Sequence, residues 1–582
     1  MTMKRRLAFA ALVCVLFLPA LSKSAELAPA DTIVLNGKIY TVNTAQPMAE
    51  ALAIIDGKIV AVGSSKEIGR YRGPKTQVID AGGRLVLPGF TDCHTHFLSG
   101  ALSLGQVQLD GTTSVPQIQE RVRKYVTAHP GKGWVLGRGW NYAAFGATAL
   151  PDKKDLDAIV PDRPVFLEGY DGHTYWANSK ALEMAGVTKA TPDPPNGTIV
   201  RDPQTGEATG ALKEAATRVV ARVVPKSNRA EMLAALRQGL AEANRVGVVR
   251  AHSAGGDFEH FDLYDELNRS GNLTVRMYIA YFLNPPELTT KEIETIEAAR
   301  KRYNGEFLSN GAVKMMLDGV VESHTAVMLQ PYSDDAHFIG KMFWDAAKYK
   351  AAVAELDRRG LQLFTHAIGD AAVRLALDSY ENAAAANHTS DARPRIEHIE
   401  TVTAADIPRF GKLGVIASMQ PLHAYPDDDT LNVWARNAGA DRASRAWVWQ
   451  SIAGSGGRLA YGSDWPVVTI NPWDGVQNAV TRQTKDGKPA GGWVPAERVS
   501  LAQAIEAYTL GAAFAGRREK TEGSLESGKV ADLIVLDQNL FEIDPHKISQ
   551  TQVLLTLVGG KTVYRAPNWK AAAERRSEEA VR

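Results

Sequence analysis

The sequence predicts an α/β protein built on a TIM-like (β/α)8 barrel. A large insertion is expected after the first barrel strand. Segments from the two chain ends are expected to form a composite β-sandwich. Three observations support this. Short apolar segments alternate with helical patterns through the middle of the chain, as in a barrel. β-rich segments lie near both ends. About 150 residues separate the first two barrel strands, too many for one crossover, which predicts an inserted subdomain at about 97–246.

The two segments assigned to the sandwich, residues 31–88 and 522–566, have the composition of short β-hairpins. Asn36-Gly37 and Asp56-Gly57 each interrupt a run of apolar residues, and both dipeptides favour tight hairpin turns. The C-terminal segment has a similar turn signal at Gly559-Gly560. Because the termini of a folded unit often lie close together, we expect the two segments to pair into one β-sandwich.

Eight apolar segments are candidates for the barrel strands, with helical patterns between them. The strand candidates are residues 85–92, 247–253, 275–283, 312–317, 361–366, 395–399, 415–420 and 459–463. The helical candidates are residues 229–246, 290–303, 344–359 and 371–386. The barrel with its insertion is therefore assigned to residues 89–521. The charged, alanine-rich residues 567–582 are expected to form a frayed helix or tail.

The N-terminus has the layout of a secretory signal peptide. Lys4, Arg5 and Arg6 precede an apolar run over residues 7–21, and small residues follow. The run is short for a membrane span, so we expect cleavage near residue 24 or 30 rather than a retained anchor. The mature protein would be periplasmic or secreted, without membrane contact. Cys14 would leave with residues 1–30, so Cys93 stands alone and no intrachain disulfide can form.

The overall charge argues against one class of partner. Lys and Arg total 66 and Asp and Glu total 65, whereas a nucleic-acid-binding protein needs a surplus of basic residues to contact phosphates. Hydrophobic residues make up 45% of the chain and charged residues 23%, as in an ordinary soluble globular protein. We therefore expect a small-molecule substrate, and the oligomeric state, with a homodimer as one option, stays open.

Metal-binding residue types stand where the predicted barrel strands end. His94 and His96 close the first strand, and residues two apart in an extended chain point to the same side, away from Cys93. The ends of the fifth, sixth and eighth strands carry His366, His398 and Asp464. Barrel active sites are built at the C-terminal ends of strands, and four imidazoles with a carboxylate suit one or two divalent transition metal ions such as Zn²⁺. A lone histidine is more often structural, but the whole set indicates a metal centre.

The motifs around these residues resemble those of the amidohydrolase superfamily. They are Gly-Phe-Thr-Asp-Cys-His94-Thr-His96, Thr-His366-Ala-Ile-Gly-Asp, Arg-Ile-Glu-His398 and Gly-Ser-Asp464-Trp-Pro, together with the C-terminal segment 523–537. They are similar to the YtcJ-like branch, amidohydrolase family 3, and the resemblance covers essentially the whole mature chain. It implies a TIM-like barrel, a composite β-sandwich and hydrolysis at a metal-bound water. It also implies the ligands His94, His96, His366, His398 and Asp464.

Lys314, in the predicted fourth strand, decides between one and two metal ions. Related families use a lysine in this strand as a carbamate, formed with CO₂, whose oxygens bridge two metals. The resemblance therefore implies a binuclear centre with a carboxylated Lys314. Burial lowers the pKa of a lysine and makes the reaction chemically feasible. An ion pair with a carboxylate such as Asp318, or direct substrate binding by Lys314, stays open as an alternative.

The predicted chemistry is hydrolysis of a non-peptide C–N bond in an amide, formamide or cyclic amide. The metal would activate water, and Asp464 would act as general base and then as general acid. His173, in the inserted segment, is a candidate donor to the substrate oxygen; a similar motif occurs in the resembling family, and a structural turn histidine is the alternative. His324 and His423, after the fourth and seventh strands, are further candidates for substrate binding.

Two other functions stay open on the sequence. A periplasmic binding or regulatory protein could keep the scaffold without catalysis. An isomerase or dehydratase could use the same metal centre, since a fold and its ligands do not fix the reaction. The presence of all five ligand candidates favours an enzyme over a binding protein.

Overall fold

The computed structural model describes residues 28–148 and 150–569. The predicted signal peptide up to residue 27, with Cys14, and the tail beyond residue 569 lie outside these residues. Within them the chain forms an eight-stranded sheet, two sheets of six strands and one of four. No helix in the described part of the chain is long and apolar enough to span a membrane.

The N-terminal segment forms seven short strands and a one-turn helix, α1, Ser65–Ile68. The strands β1 to β7 are Thr32–Leu35, Lys38–Tyr40, Met48–Ala49, Ala51–Ile55, Lys58–Gly63, Gln77–Asp80 and Leu85–Pro88. Asn36, Asp56 and Gly57 have positive φ, as tight hairpin turns require. Strands β5, β4, β1 and β6 form the four-stranded sheet in that order.

The segment 85–92, predicted as one barrel strand, is two strands in different sheets. β7 pairs with β2, whereas the barrel begins at β8, Phe90–Thr95. Gly89 lies between them, where a Cβ atom would come within 2.5 Å of the Val249 side chain. The close approach of Val249 leaves room only for glycine at this crossing from one sheet to the other, and the prediction of a continuous strand is wrong.

Between β8 and the next barrel strand, the chain forms a mixed six-stranded sheet with helices. Strands β9 to β14 are Val107–Gln108, Val135–Trp140, Val165–Gly169, Thr174–Ala177, Gly197–Arg201 and Ala208–Glu214. Helices α2 to α7 are Phe97–Ser103, Val115–Ala128, Lys153–Asp157, Ser179–Met184, Thr217–Ala221 and Arg229–Arg245. The turn between β11 and β12 carries Tyr170, Asp171 and His173, three residues that line the cavity described below.

Seven more parallel strands complete the barrel, which confirms the predicted TIM-like architecture. Strands β15 to β21 are Val248–Ser253, Arg276–Phe282, Leu308–Met316, Gln362–Ala367, Arg395–His398, Ile416–Met419 and Arg458–Tyr461. Helices α8 to α16 are Phe261–Arg269, Thr290–Arg302, Ala346–Arg358, Asp370–Asn387, Ile407–Leu413, Ala435–Ala438, Ala440–Ala443, Trp449–Gly454 and Pro472–Thr481. A π-helical turn, Thr430–Trp434, precedes Ala435.

The two edges of the eight-stranded sheet, β8 and β21, meet at predicted metal-binding residues. The amide of Asp464 donates to the carbonyl of His94, and the amide of His96 donates to the carbonyl of Trp465, both at 2.6 Å. These bonds join the end of β8 to the segment after β21. Closure of the barrel therefore brings His94, His96 and Asp464 together, although about 370 residues separate the histidines from Asp464 along the chain.

The C-terminal segment returns to the N-terminal strands. Helices α17, Leu501–Tyr508, and α18, Leu510–Ala515, precede strands β22 to β24, which are Leu533–Leu536, Val553–Val558 and Lys561–Arg565. Strand β22 pairs with β7, so the sheet β24-β23-β22-β7-β2-β3 contains strands from both ends of the chain. Apolar side chains of this sheet and of the four-stranded sheet pack in one core, including Val34, Leu52 and Leu555.

Buried ion pairs connect the other end of the barrel to this C-terminal segment. The guanidinium of Arg250, in β15, bonds both oxygens of Glu522 at 2.5 and 2.7 Å. The guanidinium of Arg276, at the start of β16, bonds both oxygens of Asp532 at 2.7 and 3.0 Å. These bidentate pairs fix the barrel on the β-structure below it.

Candidate metal centre

Three predicted ligands converge at the C-terminal end of the barrel. One ligand atom each of His94, His398 and Asp464 lies within 4.8 Å of the other two, and all three side chains are buried. Nε2 of His94 and Nε2 of His96 lie 3.4 and 3.3 Å from the same carboxylate oxygen, Oδ1 of Asp464. These distances place the four groups around one point at the barrel mouth.

His366 and Lys314 stand beside these groups. The ring of His366 lies 4.5 Å from the ring of His398, centroid to centroid. Nζ of Lys314 lies 3.2 Å from Nε2 of His94. Nζ of Lys314 does not lie within 4.0 Å of Asp318, whose carboxylate accepts hydrogen bonds from the backbone amides of residues 327, 368 and 369. The charges of Glu397 and Asp464 do act on the Lys314 ammonium. All six residues predicted to bind metal therefore meet at one site.

Each histidine of the site uses one ring nitrogen to bond an acceptor of the chain. The pairs are His94 Nδ1 with the Glu397 carboxylate at 2.6 Å, His96 Nδ1 with the Gly255 carbonyl at 3.1 Å, His398 Nδ1 with the Gln420 amide oxygen at 2.8 Å and His366 Nε2 with the Gly319 carbonyl at 3.2 Å. A carbonyl or carboxylate only accepts, so in each pair the ring nitrogen must carry the proton. The second nitrogen of each neutral ring then offers a lone pair, as in metal-binding histidines.

Burial keeps the imidazoles of His94, His366 and His398 in the neutral form that a metal needs. It lowers the pKa of His94 to about 4, with a further contribution from the nearby Lys314 ammonium. Burial also holds the pKa values of His366 and His398 well below the usual range. The Glu397 carboxylate stays ionised because Arg395 and His94 outweigh the effect of burial and lower its pKa.

The donor set fits a divalent cation. The buried Asp464 Oδ1 has no hydrogen-bond partner in the described part of the chain, although Nε2 of His94 and of His96 lie nearby. Their other nitrogens hold the ring protons, so lone pairs of two imidazoles face a carboxylate oxygen with no proton between them. This arrangement is unfavourable unless a positive ion lies among the groups. Imidazole nitrogens with carboxylate oxygens are ligands that zinc and similar metals accept.

Lys314 has the properties that carbamate formation requires. The side chain is buried among neutral imidazoles, and burial lowers the pKa of its ammonium to about 8. A larger fraction of the amine is therefore uncharged near neutral pH than for an exposed lysine.

His173 is held as a cation at the edge of the site. Its Nδ1 lies 3.0 Å from both oxygens of Glu214, and its ring centroid lies 5.6 Å from that of His366. Burial opposes the charge, but Glu214 outweighs it and raises the pKa of His173 to about 9. The hydroxyl of Thr325 donates to Glu214 at 2.6 Å and fixes the carboxylate. A protonated imidazole at this position can donate to a substrate oxygen.

The two remaining candidates for substrate binding separate in the structure. His423 lines the same cavity, with Nε2 3.7 Å from Asp464 Oδ2. His324 lies outside the cavity lining, since its Nε2 pairs with Asp334 at 2.9 Å and its ring packs against Tyr332. A left-handed backbone at His324, with φ of 60°, accompanies this outward position. Its prediction as a substrate-binding residue is therefore corrected.

The residues that orient the histidines of the site were missed by the sequence analysis. Glu397 stands in the quoted Arg-Ile-Glu-His398 motif, but simple strand alternation places it opposite His398. The backbone leaves the extended conformation at His398, where φ is 75°, so both side chains reach the site. Gln420 ends a predicted strand and could have been identified as a polar strand-end residue. Gly255 and Gly319 act through backbone carbonyls, which no side-chain pattern reveals.

A cavity of about 740 Å³ opens over the metal centre. It is lined by five of the six metal-site residues, all except His94, by loop residues of the inserted segment such as Tyr170 and His173, and by Phe282 and Phe343. A second cavity of about 410 Å³ adjoins it and shares Tyr170, His423, Pro466 and Val467 with it. Such volumes are typical of small-molecule sites.

Sequence comparison identifies relatives along nearly the whole chain. The Amidohydro_3 model, described as an amidohydrolase family, matches residues 77–564. Protein LONG AFTER FAR-RED 3 of Arabidopsis thaliana is 35% identical, covering 92% of this chain and 92% of its own. N-substituted formamide deformylase of Arthrobacter pascens is 26% identical, covering 92% of this chain and 98% of its own.

A solved structure has the same fold. The crystal structure of an uncharacterized metal-dependent hydrolase from Pyrococcus horikoshii superposes with a TM-score of 0.70 and 24% identity. It covers 88% of this chain and 99% of its own.

Proposed function

The chain belongs to the amidohydrolase family, as its motifs predicted, and on this basis we propose that it is a metal-dependent hydrolase of a non-peptide C–N bond. The substrate would be an amide, formamide or cyclic amide. One observation carries the proposal: Nε2 of His94 and Nε2 of His96 lie 3.4 and 3.3 Å from Oδ1 of Asp464 at the mouth of a substrate-sized cavity. The name of one relative, N-substituted formamide deformylase, supports the bond class.

The proposed ligands are the six residues that meet at the mouth, and zinc is the proposed metal. They are His94, His96, Lys314, His366, His398 and Asp464. A bound divalent ion would lower the pKa of water to near neutrality and polarise the substrate carbonyl.

Within this site Asp464 is proposed as the proton carrier. Its carboxylate is buried at the mouth of the barrel, and its Oδ1 accepts no hydrogen bond from the described chain. It would accept the proton of the attacking water and then deliver it to the leaving nitrogen. His173, held protonated by Glu214, would donate to the substrate oxygen as negative charge develops there.

We further propose that Lys314 is carboxylated. Its neutral amine would attack CO₂: the N–C bond forms as one C=O π bond breaks, the π electron pair passes to oxygen, and the proton of the nitrogen is released to solvent. The product is a carbamate with two ligand oxygens in place of a cation. Metal stoichiometry tests this step: Lys314→Ala should bind one metal or none, where the parent protein binds two. Two tightly bound metals in the variant would contradict the bridge.

The hydrolase proposal is tested with a panel of N-formyl and N-acyl amines. Zinc-loaded protein is assayed for release of the free amine, before and after treatment with a chelator, and again after zinc is returned. We expect turnover that is lost on chelation and restored by zinc. A fully zinc-loaded protein that hydrolyses no member of a broad amide and ester panel would favour a binding function instead.

Export by a signal peptide is proposed separately, from the N-terminal charge and apolar run alone. Expression of the full chain in a Gram-negative host, followed by N-terminal sequencing of the periplasmic protein, tests it. We expect a new N-terminus close to residue 25 or 31. Recovery of the intact N-terminus in the cytoplasm or the membrane would contradict export with cleavage.

A further inference from the structure

Four buried carboxyl groups stand around Tyr170 at the junction of the two cavities. They are Asp171, Glu322, Glu400 and Asp429, called here the acidic wall, and their residues are 9% exposed or less. Asp171, Glu322 and Glu400 line the cavity over the metal centre, and Asp429 lines the adjoining one. His423 lies between Glu400 and Asp464, at 3.9 and 3.7 Å. The acidic wall is therefore one side chain away from the metal centre.

The acidic wall has no strong cationic partner within the protein. In the described part of the chain, no lysine or arginine lies within 4.0 Å of these four carboxylates, and the sole histidine contact is the long one to His423. Their hydrogen-bond donors are hydroxyl, indole and backbone amide groups: Tyr142 and the amide of His173 to Asp171 at 2.7 and 3.0 Å, Tyr170 to Glu322 at 2.5 Å, Trp434 to Glu400 at 2.6 Å and the amide of Ala143 to Asp429 at 3.1 Å.

Two other carboxylates of the same cavity differ in this respect. Glu214 is paired with His173 at 3.0 Å, and Glu168 lies 3.8 Å from the Arg138 guanidinium. The protein therefore places a cation within 4.0 Å of Glu214 and of Glu168, whereas the acidic wall has only His423 at that distance, and the charge of His173 acts on Asp171 from further away. Burial raises the pKa of Glu322 well above its usual range, that of Glu400 to about 8 and that of Asp429 to about 7. A large fraction of these groups is therefore protonated near neutral pH, and a cationic ligand against them would favour their ionised form.

Two oxygens of the acidic wall accept no hydrogen bond from the described chain. Oδ2 of Asp429 is buried and has no hydrogen-bond partner in the described chain. The Tyr170 hydroxyl bonds Oε1 of Glu322, and no described residue donates to the other oxygen of Glu322. The ligand that completes both groups must donate hydrogen bonds and bring positive charge.

A metal ion is a poor match for the acidic wall. Within the described residues, the one group that brings three ligand atoms within 4.8 Å of one another is His94, His398 and Asp464. The carboxylates of the acidic wall are thus too far apart to surround a single ion. An ammonium or guanidinium group carries several N–H donors in different directions and can reach separated acceptors.

We propose that the acidic wall binds a cationic nitrogen of the substrate, so that the substrate is an N-acylated amine bearing a second, positively charged amine or guanidine. This rests on the proposed function for the position of the scissile bond. The acyl group would lie at the metal centre, and the charged end would lie against Glu322 and Asp429. The ammonium would donate to the two available oxygens, which fixes the orientation of the substrate in the cavity.

The test compares two sulfonamides, which resist hydrolysis and so report binding without turnover. N-(4-aminobutyl)methanesulfonamide carries an ammonium where N-pentylmethanesulfonamide carries a methyl group. Each is titrated into the zinc-loaded, full mature protein by calorimetry. We expect the ammonium compound to bind about tenfold or more tightly than its neutral partner, as for a charge-assisted hydrogen bond in a buried site. Equal affinities would overturn the proposal.

Two variants test whether the preference for the ammonium compound depends on the acidic wall, and a third is the control. Glu322→Gln and Asp429→Asn should each reduce the preference for the ammonium compound about tenfold, and thermal unfolding checks that each variant is folded. Glu294→Gln makes the same chemical change at an exposed helix position and should leave the preference unchanged. A preference that survives in both wall variants would also overturn the proposal. So would a calcium titration in which the parent protein binds calcium and both wall variants do not, because the wall would then be a metal site.

The outcome is separable from that of the hydrolase proposal. A protein that prefers the ammonium sulfonamide but cleaves no amide would retain this inference and lose the hydrolase function. A protein that hydrolyses N-acyl amines but binds the neutral sulfonamide equally well would retain the function and lose this inference.

Discussion

The two ends of the barrel hold buried charge in different ways. At the N-terminal end, Arg250 and Arg276 each form two hydrogen bonds with a carboxylate of the C-terminal segment. At the C-terminal end, Oδ1 of Asp464 and Nε2 of His423 are buried without a hydrogen-bond partner in the described chain. Paired charges fix the fold at one end, whereas the incomplete groups at the other end can bind a metal and a substrate. Substitutions at the two ends should therefore separate stability from chemistry.

The largest effect is expected at the C-terminal end of the barrel, where the metal centre lies. Asp464→Asn removes the proposed proton carrier but keeps the size of the side chain, so kcat should fall about 10²- to 10⁴-fold. The metal should stay bound through the histidines, and the free energy of unfolding should not fall, because the lost carboxylate had no protein donor at Oδ1. Amine release, metal analysis and urea unfolding measure the three quantities. Near-normal turnover with full metal content would remove Asp464 from the acid–base role.

A substitution at the N-terminal end of the barrel should lower stability and leave activity nearly unchanged. Arg250→Met leaves the buried Glu522 carboxylate without its partner, which should lower the free energy of unfolding by about 3–5 kcal/mol. The kcat/KM of the folded fraction should stay within about twofold, since Arg250 bonds Glu522 and does not line the cavity over the metal centre. The double variant Arg250→Met with Glu522→Leu is the matched control and should recover most of the stability, because it leaves no unpaired charge. A single variant as stable as the parent protein would contradict the comparison.

A smaller effect is expected at Glu397, which takes part both in a buried ion pair and in the metal site. Glu397 bonds Arg395 as a buried ion pair and also fixes Nδ1 of His94. Glu397→Gln keeps the volume and an acceptor but removes the charge, so the metal dissociation constant should rise about 10- to 100-fold. Competition with a chromophoric chelator measures it, with thermal unfolding of the metal-free protein alongside. An unchanged metal affinity would assign Glu397 to the fold alone.

The same contrast explains what could be predicted from the sequence. The strands, and the ligands at their ends, follow from local rules: apolar runs, alternation and the geometry of barrels place His94, His96, His366 and Asp464. The supporting contacts depend on residues far apart in the chain, as for His94 with Glu397, 303 positions away. They also depend on backbone that is no longer extended, as at His398 and His324. Alternation fails at these strand ends, where the site is built.

The smallest expected effect concerns the charge on His173. This histidine pairs with Glu214 of the protein and also lines the cavity. Glu214 raises the pKa of His173 to about 9, so the ring is protonated and able to donate below that pH. Activity should fall as the pH rises through about 9 and His173 loses its proton. In Glu214→Gln the carboxylate charge is lost, the pKa of His173 falls, and the alkaline limb of kcat/KM should move to lower pH by about one unit or more. Glu168→Gln removes a carboxylate from the same cavity without touching His173, and its profile should match that of the parent protein. If both variants retain the parent alkaline limb, His173 is not the donor to the substrate oxygen. The proposed reaction would then depend on the metal and Asp464 alone.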